Sequence, residues 1–394
     1  MLYRRTILIL ALLLAGCGSM DSMMSPTEWF ASEDNVEPPA ELVEITSNIS
    51  VQTLWTTSAG EGTDGQRLEL VPYIHERRVY VADSEGNVEA LDASSGGRIW
   101  ETETELPISG GPGAGDGLVL VGSRDGDLLA LDAASGQERW RTQLSSEVLS
   151  VPKAADGRVV VHTMDGNLFG LNAANGEKVW DFKRSVPVLS LRGSSSPVIS
   201  GSSVICGFAS GKLVSFDLAS GEVLWESSIS APSGRTELER MVDIDGELAV
   251  VDGVIYVATF QGDLAAVSLD TGVVLWRRDM SSHAGAGADA NQVYISDAED
   301  HVWAVDPRNG AALWKQKKLH ARKLSAPAVL DGFVLVGDFE GYVHWLSIED
   351  GSLVARTRVG DDPISTPPIV RDGVAYVYGD GGKLAAFRGP GRSQ

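Results

Sequence analysis

The chain has 394 residues with a formal charge of −22 at pH 7, and 44 of the residues are glycine. So acidic a balance excludes nonspecific binding to nucleic acid or bare anionic lipid and favours solubility or basic partners. The length fits one large repeat domain, with few aromatics outside the repeated positions.

The N-terminus reads MLYRRTILILALLLAGCGSM. Arg4 and Arg5 precede an apolar run, Thr6 to Leu14, that is too short to span a bilayer as a folded helix. This is the form of a secretory signal, and residues 1–16 are excluded from fold reasoning. Leu14-Ala15-Gly16-Cys17 resembles the bacterial lipoprotein processing box. That resemblance implies cleavage before Cys17 and lipid on its sulfur and its new amino group. Several acyl chains on one residue anchor stably where one chain would be marginal. Gly18 rather than Asp follows Cys17, and by the same resemblance this implies sorting to the outer membrane. Only one other cysteine exists, Cys206, so no intramolecular disulfide is expected; in the apolar run SVICGF it reads as a buried, inert thiol. Residues 17–42 lack periodicity and read as the lipidated cysteine and a flexible tether.

From residue 43 onward the chain repeats itself. LDASSGGRIW ends at Trp100, LDAASGQERW at Trp140, LNAANGEKVW at Trp180 and FDLASGEVLW at Trp225. Shorter matches end at Trp276 and Trp314, and a worn copy, LSIEDGSLVA, ends at Ala355. In all seven a glycine stands four residues before the final position. A period near 40 marks a repeat architecture. The unit from Pro152 to Lys183 carries β-type runs at 158–163, 167–172 and 177–183 after a leading segment. Asp156-Gly157, Asp165-Gly166 and Asn175-Gly176 separate them, and such pairs accept the positive φ of tight hairpins. Four short strands make one propeller blade, and a ring of blades buries both apolar faces of each.

The expected fold is therefore all-β, an eight-bladed β-propeller of four-stranded antiparallel blades over residues 43–394. Fourth-strand positions are Trp55, Trp100, Trp140, Trp180, Trp225, Trp276, Trp314 and Ala355. The seven tryptophans are read as structural rings docked on the next blade. Third-strand segments also number eight, but the two series are offset. Trp55 has no inner strands before it, and Leu384–Arg388 has no Trp strand after it. Residues near 48–58 should thus supply the outer strand of the C-terminal blade, pairing the two chain ends.

Two consecutive connectors are long. Trp100 to Pro112 and Trp140 to Pro152 are twelve residues each, but Trp180 to Pro197 is seventeen and Trp225 to Leu248 is twenty-three. Strand alternation puts both insertions side by side on one face, where repeat proteins place binding elements. The first insertion, KRSVPVLSLRGSSS, offers Leu189, Leu191 and Arg192, and exposed Leu beside Arg suits an interface anchor. Folding back as a small satellite core is the competing reading. The second offers Glu237, Glu239, Arg240, Asp243 and Asp245, suited to a basic partner or to a solvated turn.

Signal, lipid box, tether, eight repeats and the LSLRG loop together resemble the BamB family, lipoproteins of the outer-membrane β-barrel assembly (BAM) machinery. The repeats alone are shared by pyrroloquinoline-quinone-type propellers generally. The resemblance implies a non-catalytic scaffold on the periplasmic face of the outer membrane, with no cofactor. It implies binding to the POTRA domains of BamA through Leu189, Leu191 and Arg192, with Asp243 and Asp245 from the neighbouring insertion. The other BAM lipoproteins, and unfolded outer-membrane proteins, are further implied partners.

Two other classes compete with this one. A quinone-dependent dehydrogenase would carry adjacent cysteines and a Ca²⁺ site, and the sequence has no adjacent cysteines and no clustered ligand run. His75, His162, His283, His301, His320 and His344 are scattered without metal-ligand spacing. GGPGAGDG, Gly110 to Gly117, brushes against a phosphate-loop pattern but leads into a strand, not a helix. The third class is a peptide-binding propeller that captures extended chains at strand edges. The basic run from Lys315 to Lys323 is read as a solvated face.

Overall fold

The computed structural model describes residues 37–46, 49–187, 189, 191, 193 and 195–390. The signal segment, Cys17, most of the tether and Arg192 lie outside the described residues. Eight sheets are present among the described residues. Blades 1 to 7 follow in chain order; blade 3, for example, is built from Lys153–Ala155, Arg158–His162, Asn167–Asn172 and Lys178–Lys183. The strand limits match the sequence reading of this unit to within a residue or two.

Blade 8 closes the ring as anticipated. Its inner strands are Ile369–Arg371, Val374–Tyr378 and Lys383–Arg388, and its outer strand is Gln52–Ser58 from the opposite end of the chain. Trp55 stands opposite Ala386 in that mixed sheet. Residues beside the expected boundary at 43 already bond to the blades. The Ala40 N–H donates to the His320 carbonyl at 3.0 Å, and the Arg322 and Arg356 guanidiniums donate to the Ala40 and Val43 carbonyls.

The tryptophans hold the blades together in a repeated way. Each indole N–H donates to a carbonyl of the next blade: Trp55 to Ala93, Trp100 to Ala133, Trp140 to Ala173, Trp180 to Leu218, Trp225 to Leu269, Trp276 to Pro307 and Trp314 to Ile348, all within 2.7–3.1 Å. From Trp100 onward, the glycine four residues before each of these tryptophans serves the preceding Trp, not its own. A Cβ on Gly136 would lie 2.6 Å from the Trp100 ring, and one on Gly176 2.5 Å from the Trp140 ring. These glycines also have φ near +70°, so turn geometry and the seat for the ring demand the same residue.

One departure concerns blade 2. Its sheet has a fifth strand, Glu69–Leu70, which pairs in parallel with Ile108–Gly115. The GGPGAG stretch lies within that first strand. Its glycines permit close backbone packing: a Cβ on Gly113 would fall 1.7 Å from the Pro152 carbonyl oxygen and one on Gly110 2.5 Å from that of Ser150. The glycine-rich run is thus a wall of the crowded ring centre, which explains a motif that the phosphate-loop pattern could not.

Candidate docking site

The two insertions flank blade 4 and meet each other. Asp243 of the second insertion is buried, 1% exposed, and its Oδ2 accepts the Leu191 N–H of the first at 2.5 Å. The Asp243 carbonyl accepts the Phe260 N–H, and buried Met241, Val242 and Ile244 anchor the surrounding chain. A Cβ on Gly193 would lie 2.9 Å from the Asp245 carboxyl carbon, so the first loop lies directly on that side chain. Leu189 is 42% exposed while Leu191 is half-buried. The leucine pair is therefore split: one is presented outward and the other is held against the scaffold.

The base of the first loop is fixed independently. Arg184 pairs with Glu226 of blade 4, and its guanidinium lies 5.1 Å from the Phe208 ring centre. The tip of the second insertion is different in kind. Residues 231–240 are all exposed, including Glu237, Glu239, Arg240 and Leu238, the last at 60%. Glu239 is engaged locally, accepting the Arg235 and Thr236 N–H groups. Of the acidic residues expected to face a basic partner, Asp243 is turned inward and acts on the loop.

Behind the loops lies a cavity of about 380 Å³, lined by Leu191, Gly193, Asp245, Arg67, Glu69 and His283, among others. Sequence reasoning missed Arg67, Glu69 and His283. An acid inside the apolar leading run RLELVPY was the available signal. Burial pushes the Glu69 carboxyl up to about 8, assisted by the nearby negative charges of Glu247 and Asp245 and opposed by Arg67. Burial, then the charge of Asp243, pushes Asp245 up to about 7, again opposed by Arg67. Asp243 is also raised by burial, and the Leu191 N–H works against that shift. His283 is held below its ordinary value by burial and by Arg67. The face beneath the loops is therefore an acidic cluster whose carboxyls resist ionisation.

Elsewhere, Asp297, Glu299 and His301 stand on one hairpin with ligand atoms within 4.8 Å of one another. The sequence reading saw no metal-ligand spacing at His301. Here the Asp297 carboxylate is already occupied, accepting the His301 and Glu299 N–H groups and the Trp303 indole N–H. Cys206 is fully buried, and burial pushes its thiol well above the usual range, in keeping with an inert side chain.

The profile of the family described as "Outer membrane protein assembly factor BamB" matches residues 42–107, 84–316 and 304–390. A protein of that name from Alkalilimnicola ehrlichii is 49% identical over 387 residues, 98% of this chain and 97% of its own. The crystal structure of BamB from Moraxella catarrhalis superposes with a TM-score of 0.79 at 26% identity, covering 86% of this chain and 100% of that one. A quinohemoprotein alcohol dehydrogenase from Pseudomonas putida superposes with a TM-score of 0.66 at 14% identity over 87% of this chain and 77% of its own, a likeness of fold alone.

Proposed function

The chain belongs to the BamB family of outer membrane protein assembly factors, and from that premise we propose that it is a non-catalytic scaffold of the barrel-assembly machine. In this reading Cys17 carries the lipid anchor, the propeller stands on the periplasmic face of the outer membrane, and BamA is the direct partner. Docking to the POTRA domains runs through Leu189, Leu191 and Arg192, supported from beneath by Asp243 and Asp245. The other lipoproteins of the complex are neighbours in the same assembly.

The observation that carries this reading is the contact between the insertions. A buried carboxylate grips the main chain at Leu191, while Leu189 two residues away is presented to solvent. Such an arrangement pre-orders a short apolar anchor, and pre-ordering lowers the entropic cost of association. The adjoining Arg192 is of a residue type enriched at interface hot spots. The assignment as an assembly factor rests on the family.

The test is co-purification of BamA from outer membranes with the full-length protein. Leu189→Ala, Leu191→Ala and Arg192→Ala together should reduce capture by roughly tenfold or more, the scale of one to two lost hot spots. Leu238→Ala, on the exposed tip of the other insertion, should leave it unchanged. Undiminished capture by the triple variant would remove the loop from the docking surface.

A further inference from the structure

The first strands of neighbouring blades pack side by side around the ring centre. Two cavities lie there. One is the acidic chamber behind the loops. The other, of about 370 Å³, is walled mainly by apolar groups, among them Val71, Pro72, Val151, Leu248, Pro327 and Val370. Glu247, Ala326 and Pro367 line both, so the two are successive chambers of one central channel. No residue of the first insertion lines the second chamber.

The second chamber is cationic where the first is acidic. At one equivalent position of the first strand, fixed by its pairing with the second strand, blades 4 to 8 offer only Val198, Ala249, Gly287, Ala328 and Ile369. Blade 3 places Lys153 there and blade 1 places Tyr73. Blade 2 between them has Gly113, with no side chain to part the two, and the Lys153 ammonium lies 5.5 Å from the Tyr73 ring centre. Arg371, at the end of the first strand of blade 8, lines the same chamber, and its charge bears on the Tyr73 hydroxyl. Among the described residues, no carboxylate lies within ion-pair distance of Lys153 or Arg371. Glu247, at the junction with the acidic chamber, is the one carboxylate on the wall. Burial holds the Lys153 ammonium below its ordinary range, against the pull of Glu247. A cation left unpaired against apolar walls is a cost that a bound anion removes.

We propose that this chamber binds a small organic anion, a carboxylate held by Lys153 and Arg371 with an apolar body against the aliphatic and proline walls. The Tyr73 hydroxyl is placed to donate a hydrogen bond to the same carboxylate. Glu247 opposes a second negative charge, so the ligand carries its charge at one end only. A mostly apolar cavity with a few converging polar groups is the general form of a small-molecule site, and such sites run from about 300 to 1,000 Å³. Docking through the Leu189–Arg192 loop does not depend on this chamber.

The test uses the full mature protein and probes of one shape and different charge: cinnamate, its neutral amide cinnamamide and the cationic cinnamylamine, read by titration calorimetry. The wild type should bind a single equivalent of cinnamate, roughly tenfold or more tighter than either other probe, the scale of one charged contact. Lys153→Met should remove that preference and leave the cinnamamide affinity unchanged, while Lys153→Arg should keep it. Ala249→Leu, which narrows the apolar wall, should weaken cinnamate and cinnamamide alike, and Leu238→Ala, far from the chamber in the second insertion, should weaken neither. Unchanged melting temperatures establish that the variants fold. No cinnamate binding by the folded wild type at about 1 mM, equal affinity for cinnamate and cinnamylamine, or full cinnamate affinity in Lys153→Met overturns the proposal.

Discussion

Glu69 shows how one residue ties the ring centre to the solution outside it. Its carboxyl is buried beside Glu247 and Asp245, and its folded pKa is about 8 against an ordinary 4.5. Between those values the folded protein holds a proton that the unfolded chain has released, so stability falls as pH rises through that window. Across it, stability falls by at most about 1.4 kcal/mol per pH unit. Asp245, raised to about 7, adds to the same slope over the lower part of it. Glu69→Gln is therefore expected to flatten the loss of melting temperature between pH 5 and 8.5 and to gain on the wild type most at the alkaline end. Parallel melting curves for the two proteins across that range would show that Glu69 is hydrated and ordinary. Asp243 acts on a smaller scale, fixing one amide of a loop whose neighbouring leucine faces outward.

At the scale of the element, a large ring always faces a small residue across the third and fourth strands. Trp100 faces Ala90, Trp140 faces Ala130, Trp180 faces Gly170 and Trp225 faces Ser215. Blade 7 obeys the same rule with the sides exchanged: Ala355 faces Trp345, which is fully buried. The worn repeat is therefore a transposition of volume between adjacent strands. It places the ring in the core cluster shared with Ala355, Ile364 and Phe387. Ala355→Trp alone should overpack this site and cost about 1–3 kcal/mol. Adding Trp345→Ala should recover much of that loss, since the pair then reads as in the other blades. Additive destabilisation in denaturant titrations of the double variant would refute the exchange.

Over the whole molecule, the decisive feature is the mixed eighth blade. Gln52–Ser58 covers Lys383–Arg388, and the Trp55 indole locks onto Ala93 of blade 1. One short strand thus joins the last blade to the first. A chain beginning at Ala59 should keep seven complete blades yet lose closure, with a lowered melting temperature and rapid hydrogen exchange in blades 8 and 1 before the rest. Uniform exchange around the ring would mean that closure contributes little. A closed ring also holds the two insertions at fixed separation on either side of blade 4, which a lone hairpin could not do.

The Gly-to-Trp spacing determined the number of blades, the docking role of the rings and the pairing of the chain ends, because each is written in local turn chemistry and in a period that recurs along the chain. The two insertions were legible as departures from that period. What only the folded ring decided is who meets whom across it. That each repeat glycine seats the preceding unit's tryptophan could not be read from a four-residue offset. The inward turn of Asp243, the strand Glu69–Leu70 laid against the glycine wall and the acidic cluster behind the loops bring together residues from 41 to 178 positions apart. Burial and mutual charge at such a meeting point are properties of the closed ring, and no stretch of sequence carries them alone.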